Sequence, residues 1–132
     1  ECARNNGVSH EIREFVVPLC ATIHLAGSII TITSCVTTVL MMNNMPYNLG
    51  IMLPFVLSLG IAMVAAPGAP GGAIMSALPF LGMVGIAAGS PLASLLIALY
   101  ITQDSFGTAA NVSGDNAIAV IVDMIYHKFI KK

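Results

Sequence analysis

The chain has 132 residues, 57% of them apolar and 8% charged, with a formal net charge of −1 and a mean hydropathy of +0.90. A soluble domain carries roughly 25% charged residues, so this composition excludes an ordinary water-facing surface. From Phe15 to Gln103 there is no Asp, Glu, Lys or Arg, and a charge-free stretch of that length implies several membrane crossings.

All five Lys/Arg residues (Arg4, Arg13, Lys128, Lys131 and Lys132) lie near the two ends. By the positive-inside rule both ends are expected on the cytoplasmic side of a cell (inner) membrane, with an even number of crossings between them. No basic patch is available for nucleic acid. Cys2, Cys20 and Cys35 form no CxxC pattern; Cys20 and Cys35, set in apolar runs, read as small packing residues. The first residue is Glu rather than Met, which reads as a piece of a longer chain.

In chain order, residues 1–14 are a polar cytoplasmic approach segment. Residues 15–42 are long enough to span a bilayer, and His, Gly and Ser in IHLAGS predict a break in that helix. The TITSCVTT run that follows is rich in hydroxyls suited to facing other helices. NNMPYN is a turn. Residues 49–86 divide into two apolar arms around APGAPGG at 66–72, which no regular helix passes through. Each arm is short against a hydrocarbon core of about 30 Å. The segment is therefore expected to be a re-entrant hairpin whose tip lines a cavity, the alternative being two thin spanning helices. Residues 91–127 form the final transmembrane helix, and 128–132 a basic cytoplasmic tail.

The final helix holds the informative stretch, QDSFGTAANVSGD. On a helix, Asp104, Thr108, Asn111 and Asp115 fall within about 60° of one another, one stripe about 16 Å long. A carboxylate at the bilayer centre costs about 2.5–3.5 kcal/mol on insertion scales. With no Lys or Arg in the apolar region, the compensation is expected from outside the chain: a bound cation, a cationic substrate group, water or a further part of the protein. A broken helix, a Pro/Gly tip and intramembrane carboxylates together suggest a secondary transporter. No nucleophile–base pair is visible, so an enzyme is not expected.

Three motifs carry a resemblance. HLAGS (His24–Ser28), GAPGG (Gly68–Gly72) and DSFGTAANVSGD (Asp104–Asp115) resemble, in order, the NMDGT helix break, the GVPG-type hairpin tip and the D-x-x-R-T-x-x-N-V-x-G-D helix of the dicarboxylate/amino acid:cation symporters, the glutamate and neutral amino acid transporter family. CARNNGVS and FVVPLCATI also look like that family. The resemblance spans nearly the whole chain. It implies an all-α transport-domain fragment: a broken transmembrane helix, a re-entrant helical hairpin and a long broken transmembrane helix. It further implies a homotrimer completed by a first hairpin and scaffold helices outside this sequence.

By the same resemblance, Asp104 meets the substrate's amino group, and Thr108 and Asn111 hold its polar groups. Gly107, Leu25, Ser28, Ala69 and Gly72 surround the substrate, with the tip from Ala69 to Gly72 as gate. Asp115 coordinates Na⁺ with carbonyls of Cys20, His24 and Asn111. A second cation lies between Thr22 and the backbone of Met63, Val64 and Ala66. Three positions depart from the family pattern. Gly107 stands where an arginine grips a side-chain carboxylate, which favours a neutral over an acidic amino acid. Ala26 replaces the aspartate of the NMDGT motif. His24 replaces its asparagine and brings an imidazole, a side chain that can carry a proton, so H⁺ stands beside Na⁺ as the coupling ion. The alternatives are a diverged or truncated non-transporting relative, or an ion-conducting membrane protein that uses the same polar stripe.

Overall fold

A computed structural model describes residues 1–130; Lys131 and Lys132 of the expected basic tail lie outside the described residues. Six α-helices follow in order: α1 (Cys2–Asn5), α2 (His10–Ile23), α3 (Ala26–Met42), α4 (Leu49–Met63), α5 (Gly72–Ala77) and α6 (Pro91–Phe129). A 3₁₀ helix, Leu78–Val84, continues α5. The described residues contain no strand, so the all-α class holds.

Helix α6 is the spine. It packs along α3 and, more briefly, along α2. Its start is fixed locally: Pro91 fits the first helical position, and the Ser90 hydroxyl accepts from Ala93 N–H at 3.2 Å, satisfying one of the orphan donors of the first turn. The helix then runs 39 residues without interruption. A broken last helix was the expectation, and this is a correction. No proline follows Pro91 within the helix, and isolated glycines such as Gly107 and Gly114 cost only about 1 kcal/mol each. The helix does not need to unwind and free its own backbone N–H groups for its carboxylates, because neighbouring groups reach them, as shown below.

The break between α2 and α3 falls at His24 and Leu25, whose backbones leave the helical region (His24 φ −106°, ψ 91°). Proline does not cause it: Pro18 sits inside α2, which continues past it. The cause is tertiary. At Gly27 the backbone of α3 comes so close to α6 that a Cβ there would collide with the carbonyl oxygen of Gly107 and the side chain of Ala110. Among the described residues, the run His10–Met42, which contains this break, is the one helical stretch long and apolar enough to cross a membrane.

Helix α4 begins at Asn48, whose side chain accepts from Ile51 N–H at 3.1 Å. Its Phe55, Leu59 and Met63 recur every four residues and are buried. The opposite row, Leu49, Leu53, Leu57 and Ile61, is exposed, Ile61 by 79%. An apolar row of that extent on an exposed helix face suits lipid or another apolar element rather than water. At the tip, Gly71 takes φ +76°, a left-handed conformation that glycine adopts freely. The chain then returns through α5 and the 3₁₀ helix, both packed on α4. Pro79 lacks the N–H that the next α-helical bond would use, and the helix tightens to 3₁₀ there.

The core is one apolar cluster shared by α3, α4, the returning arm and the first third of α6, with Tyr100, Phe55, Leu59 and Leu96 fully buried. A second, smaller cluster joins Ala3, Val8, Val16 and Cys20 to Ala119. Beside it, Ser9 N–H and hydroxyl both donate to Asp123 Oδ1, at 3.0 and 2.5 Å, fastening the N-terminal segment to the far end of α6.

The Gly27 contact generates a test. Gly27→Ala should lower stability by about 1–3 kcal/mol, the usual penalty of overpacking. Gly60→Ala, on an exposed face of α4 with nothing within 4 Å, should stay within about 1 kcal/mol of the parent. Thermal unfolding of the two variants in detergent distinguishes them; equal midpoints would show that the α3–α6 approach is not tight.

Candidate functional site

A cavity of about 340 Å³ lies between the α2–α3 break, the hairpin tip and one face of α6. That volume is in the range of small-molecule sites. His24, Leu25 and Ser28 line it from the break, Ala69 and neighbouring prolines from the tip. From α6 come Tyr100, Asp104, Thr108, Asn111 and Asp115. The four residues of the polar stripe therefore share one cavity.

Asn111 builds the junction. Its Oδ1 accepts from Gly27 N–H at 2.8 Å and from Ser28 N–H at 3.3 Å, and its Nδ2 donates to Ser28 Oγ at 3.0 Å. Gly27 and Ser28 stand in the first turn of α3, where N–H groups have no partner within their own helix. A side chain from α6 thus caps α3 from across the interface. Asn111 and Ser28 are both buried, which makes these bonds expensive to lose.

Each carboxylate has partners within the chain. Asp115 Oδ1 lies 2.9 Å from His24 Nδ1. The approach depends on Gly114, where a Cβ would strike the imidazole ring. Asp104 Oδ1 accepts from the Tyr100 hydroxyl at 2.8 Å, and Oδ2 from Gly71 N–H of the hairpin tip at 3.2 Å. The expectation that compensation must come wholly from outside the chain is thereby corrected. A histidine and a tyrosine carry no charge in a count of Lys and Arg, so the composition hid them. Tyr100 stands one turn before Asp104 on the same stripe, and that i−4 spacing is the sequence signal for the contact.

The remaining expected site residues divide. Gly72 is buried as the first residue of α5, beside the cavity-lining tip. Gly107 does not line the cavity. It is buried against α3, where a Cβ would lie 3.0 Å from Thr31 Oγ1, because its helical angle turns it from the stripe toward α3. Cys20 lies in the second apolar cluster. Thr22 is exposed, its hydroxyl bonded back to the Leu19 carbonyl at 2.8 Å. Met63 belongs to the main core with Ala66 against it, and Val64 is exposed. None of these five lines the cavity. Among the described residues no three His, Cys, Asp or Glu side chains gather as metal ligands. The Cys20 carbonyl accepts from His24 N–H at 2.8 Å, and Asn111 Oδ1 is committed to α3. Of the expected cation ligands, His24, Asn111 and Asp115 border the cavity, while Cys20, Thr22, Met63, Val64 and Ala66 do not line it.

A helix break, a Pro/Gly tip and a carboxylate-bearing helix around one cavity of small-molecule size are the parts of a membrane transporter's binding site. The family comparison agrees: the sodium:dicarboxylate symporter family matches residues 1–125, and the chain belongs to that family. It is 29% identical over 130 residues to neutral amino acid transporter A of Homo sapiens, covering 97% of this chain and 24% of that protein. It is 28% identical over 127 residues to excitatory amino acid transporter 1 of Rattus norvegicus, covering 96% and 23%. To excitatory amino acid transporter 3 of Homo sapiens it is 27% identical over 132 residues, covering 99% and 25%. The chain thus spans about a quarter of the length of these relatives. No solved structure gives a significant match. Membership of a symporter family accounts for the apolar composition and places the chain in a membrane.

The His24–Asp115 pair gives the next test. His24→Ala should lower the unfolding midpoint, because it strips a buried carboxylate of its partner. Adding Asp115→Asn should restore part of the loss by removing the stranded charge. A double variant no more stable than His24→Ala would mean that the two side chains do not act as a pair.

Proposed function

We propose that this chain supplies the substrate and cation site of a secondary symporter that takes up an amino acid by alternating access, a neutral one in preference to an acidic one. The observation that carries the reading is that Asp104, Thr108, Asn111 and Asp115 line one cavity with the hairpin tip above them. Asp104 presents a carboxylate where a substrate's ammonium group would dock, and the tip, from Ala69 to Gly72, acts as the gate. Residues 49–86 form a re-entrant hairpin rather than two spans, and both ends of the segment face the cytoplasm.

Preference for a neutral substrate follows from charge. The cavity contains two carboxylates and no Lys or Arg; between Arg13 and Lys128 the sequence has none. A second carboxylate on the substrate would find no cation to pair with and would face the fields of Asp104 and Asp115. The relatives' names point both ways, one a neutral and two excitatory amino acid transporters; the missing cation favours the first. Na⁺ is the coupling ion that fits the family, with Asp115 as its acidic ligand once His24 gives way. H⁺ is the alternative that the His24–Asp115 contact keeps open. The assembly is a homotrimer, in which the remainder of the transporter adds a first hairpin and the scaffold helices that make the trimer.

The test is uptake by the full-length protein in proteoliposomes, with a panel of neutral and acidic amino acids under imposed Na⁺ and then H⁺ gradients. Gradient-driven uptake of neutral amino acids is expected, lowered at least about tenfold by Asp104→Asn, the scale of losing one charge-assisted bond. Asp115→Asn should flatten the dependence on Na⁺ concentration. Saturation by glutamate or aspartate in preference to neutral amino acids would overturn the substrate assignment. Conduction without substrate coupling would favour an ion-conducting protein.

A further inference from the structure

Resting on the binding site proposed above, we propose that Tyr100 is a positioning residue for substrate recognition: its hydroxyl fixes the carboxylate of Asp104 and leaves one oxygen to the ligand. Tyr100 is fully buried in the main core, yet it lines the cavity and its hydroxyl reaches the cavity-lining Asp104. The ring is held by close packing, so the hydroxyl is a donor at a fixed place. It meets Asp104 Oδ1 at 2.8 Å, a bond to a charged acceptor and therefore one of the stronger kind. Oδ2 accepts instead from Gly71 N–H of the tip, at 3.2 Å.

The two oxygens thus have different tasks. Oδ1 is tied to the rigid interior of the same helix. Oδ2 is tied only to the hairpin, by a longer bond, and is the oxygen that an incoming ammonium group reaches. A neutral donor suits this task better than a cation. An Arg or Lys at position 100 would orient the carboxylate but also cancel the charge that attracts the ammonium; a phenol orients it and leaves the charge in place. The longer reach of glutamate at 104 would lose this division, because its carboxylate would stand about one methylene further toward the tip.

The test uses the full-length protein in proteoliposomes, with Na⁺-driven uptake of L-serine and L-alanine as probes, and ligand-induced thermal shift in detergent. Tyr100→Phe keeps the ring and removes the donor. It should raise KM about tenfold while the maximal rate changes less than about twofold, the signature of a lost orientation rather than a damaged fold. In an Asp104→Asn background the same change should leave ligand affinity unaltered. If Tyr100→Phe does not fold, Asp104→Glu serves in its place, with a similar rise in KM expected. An unchanged KM in Tyr100→Phe or Asp104→Glu, with Asp104→Asn impaired, overturns the role of Tyr100 alone. So does a Tyr100→Phe protein that loses stability and maximal rate at constant KM. Undiminished uptake by Asp104→Asn overturns instead the binding site on which the inference rests.

Discussion

The meeting of α3's first turn with α6 is the constraint from which the rest of the arrangement follows. Two conditions allow it. Gly27 has no side chain to hold the helices apart, and Asn111 satisfies the N–H groups that the start of α3 leaves open. With the turn docked there, His24 is carried over Gly114 to Asp115, and Ser28 is brought to Asn111. The helix break is therefore stabilised from outside the segment in which it occurs. A polar bond network of this kind is stable only when every member is satisfied, and each of Asn111's polar atoms has a partner.

The same economy explains how an apolar chain tolerates two carboxylates on one stripe. Neither meets a full positive charge from Lys or Arg. Asp115 meets an imidazole, and Asp104 meets a hydroxyl and a backbone N–H. The hydroxyl and the N–H hold the Asp104 carboxylate in place without neutralising it as an Arg would, so its negative charge persists at the cavity. One of those partners, Gly71, belongs to the hairpin tip. The position of the tip and the orientation of the Asp104 carboxylate are thus linked through a single bond.

Much of this was legible in the sequence, for identifiable reasons. The spacing of Asp104, Thr108, Asn111 and Asp115 fixes their common face because helical geometry is rigid, and α6 bears all four toward the cavity. The break near His24 was readable from IHLAGS. Less was readable where the outcome depends on a partner distant in sequence. That Asn111 would cap α3, that Gly107 would turn toward Thr31, and that His24 and Tyr100 would meet the two aspartates all follow from tertiary approach. The unbroken course of α6 departs from what the resemblance implied: no proline follows Pro91, and the partners of the polar stripe reach it from neighbouring elements.

Gly107 illustrates how position along a stripe and orientation within a site can part company. On family pattern alone its lack of a side chain is a statement about substrate charge. In the structure it is also a statement about helix packing, since a Cβ there would lie only 3.0 Å from Thr31 Oγ1 of α3. The two statements are compatible. A long side chain at 107 would have to pass the α3 interface before it reached the cavity, and Gly27 brings that interface close. The close fit of α3 on α6 and the missing counter-charge for a second carboxylate are then linked: a tight helix junction at residues 27 and 107 leaves room for a glycine, and a glycine leaves the cavity without the cation that an acidic side chain would need.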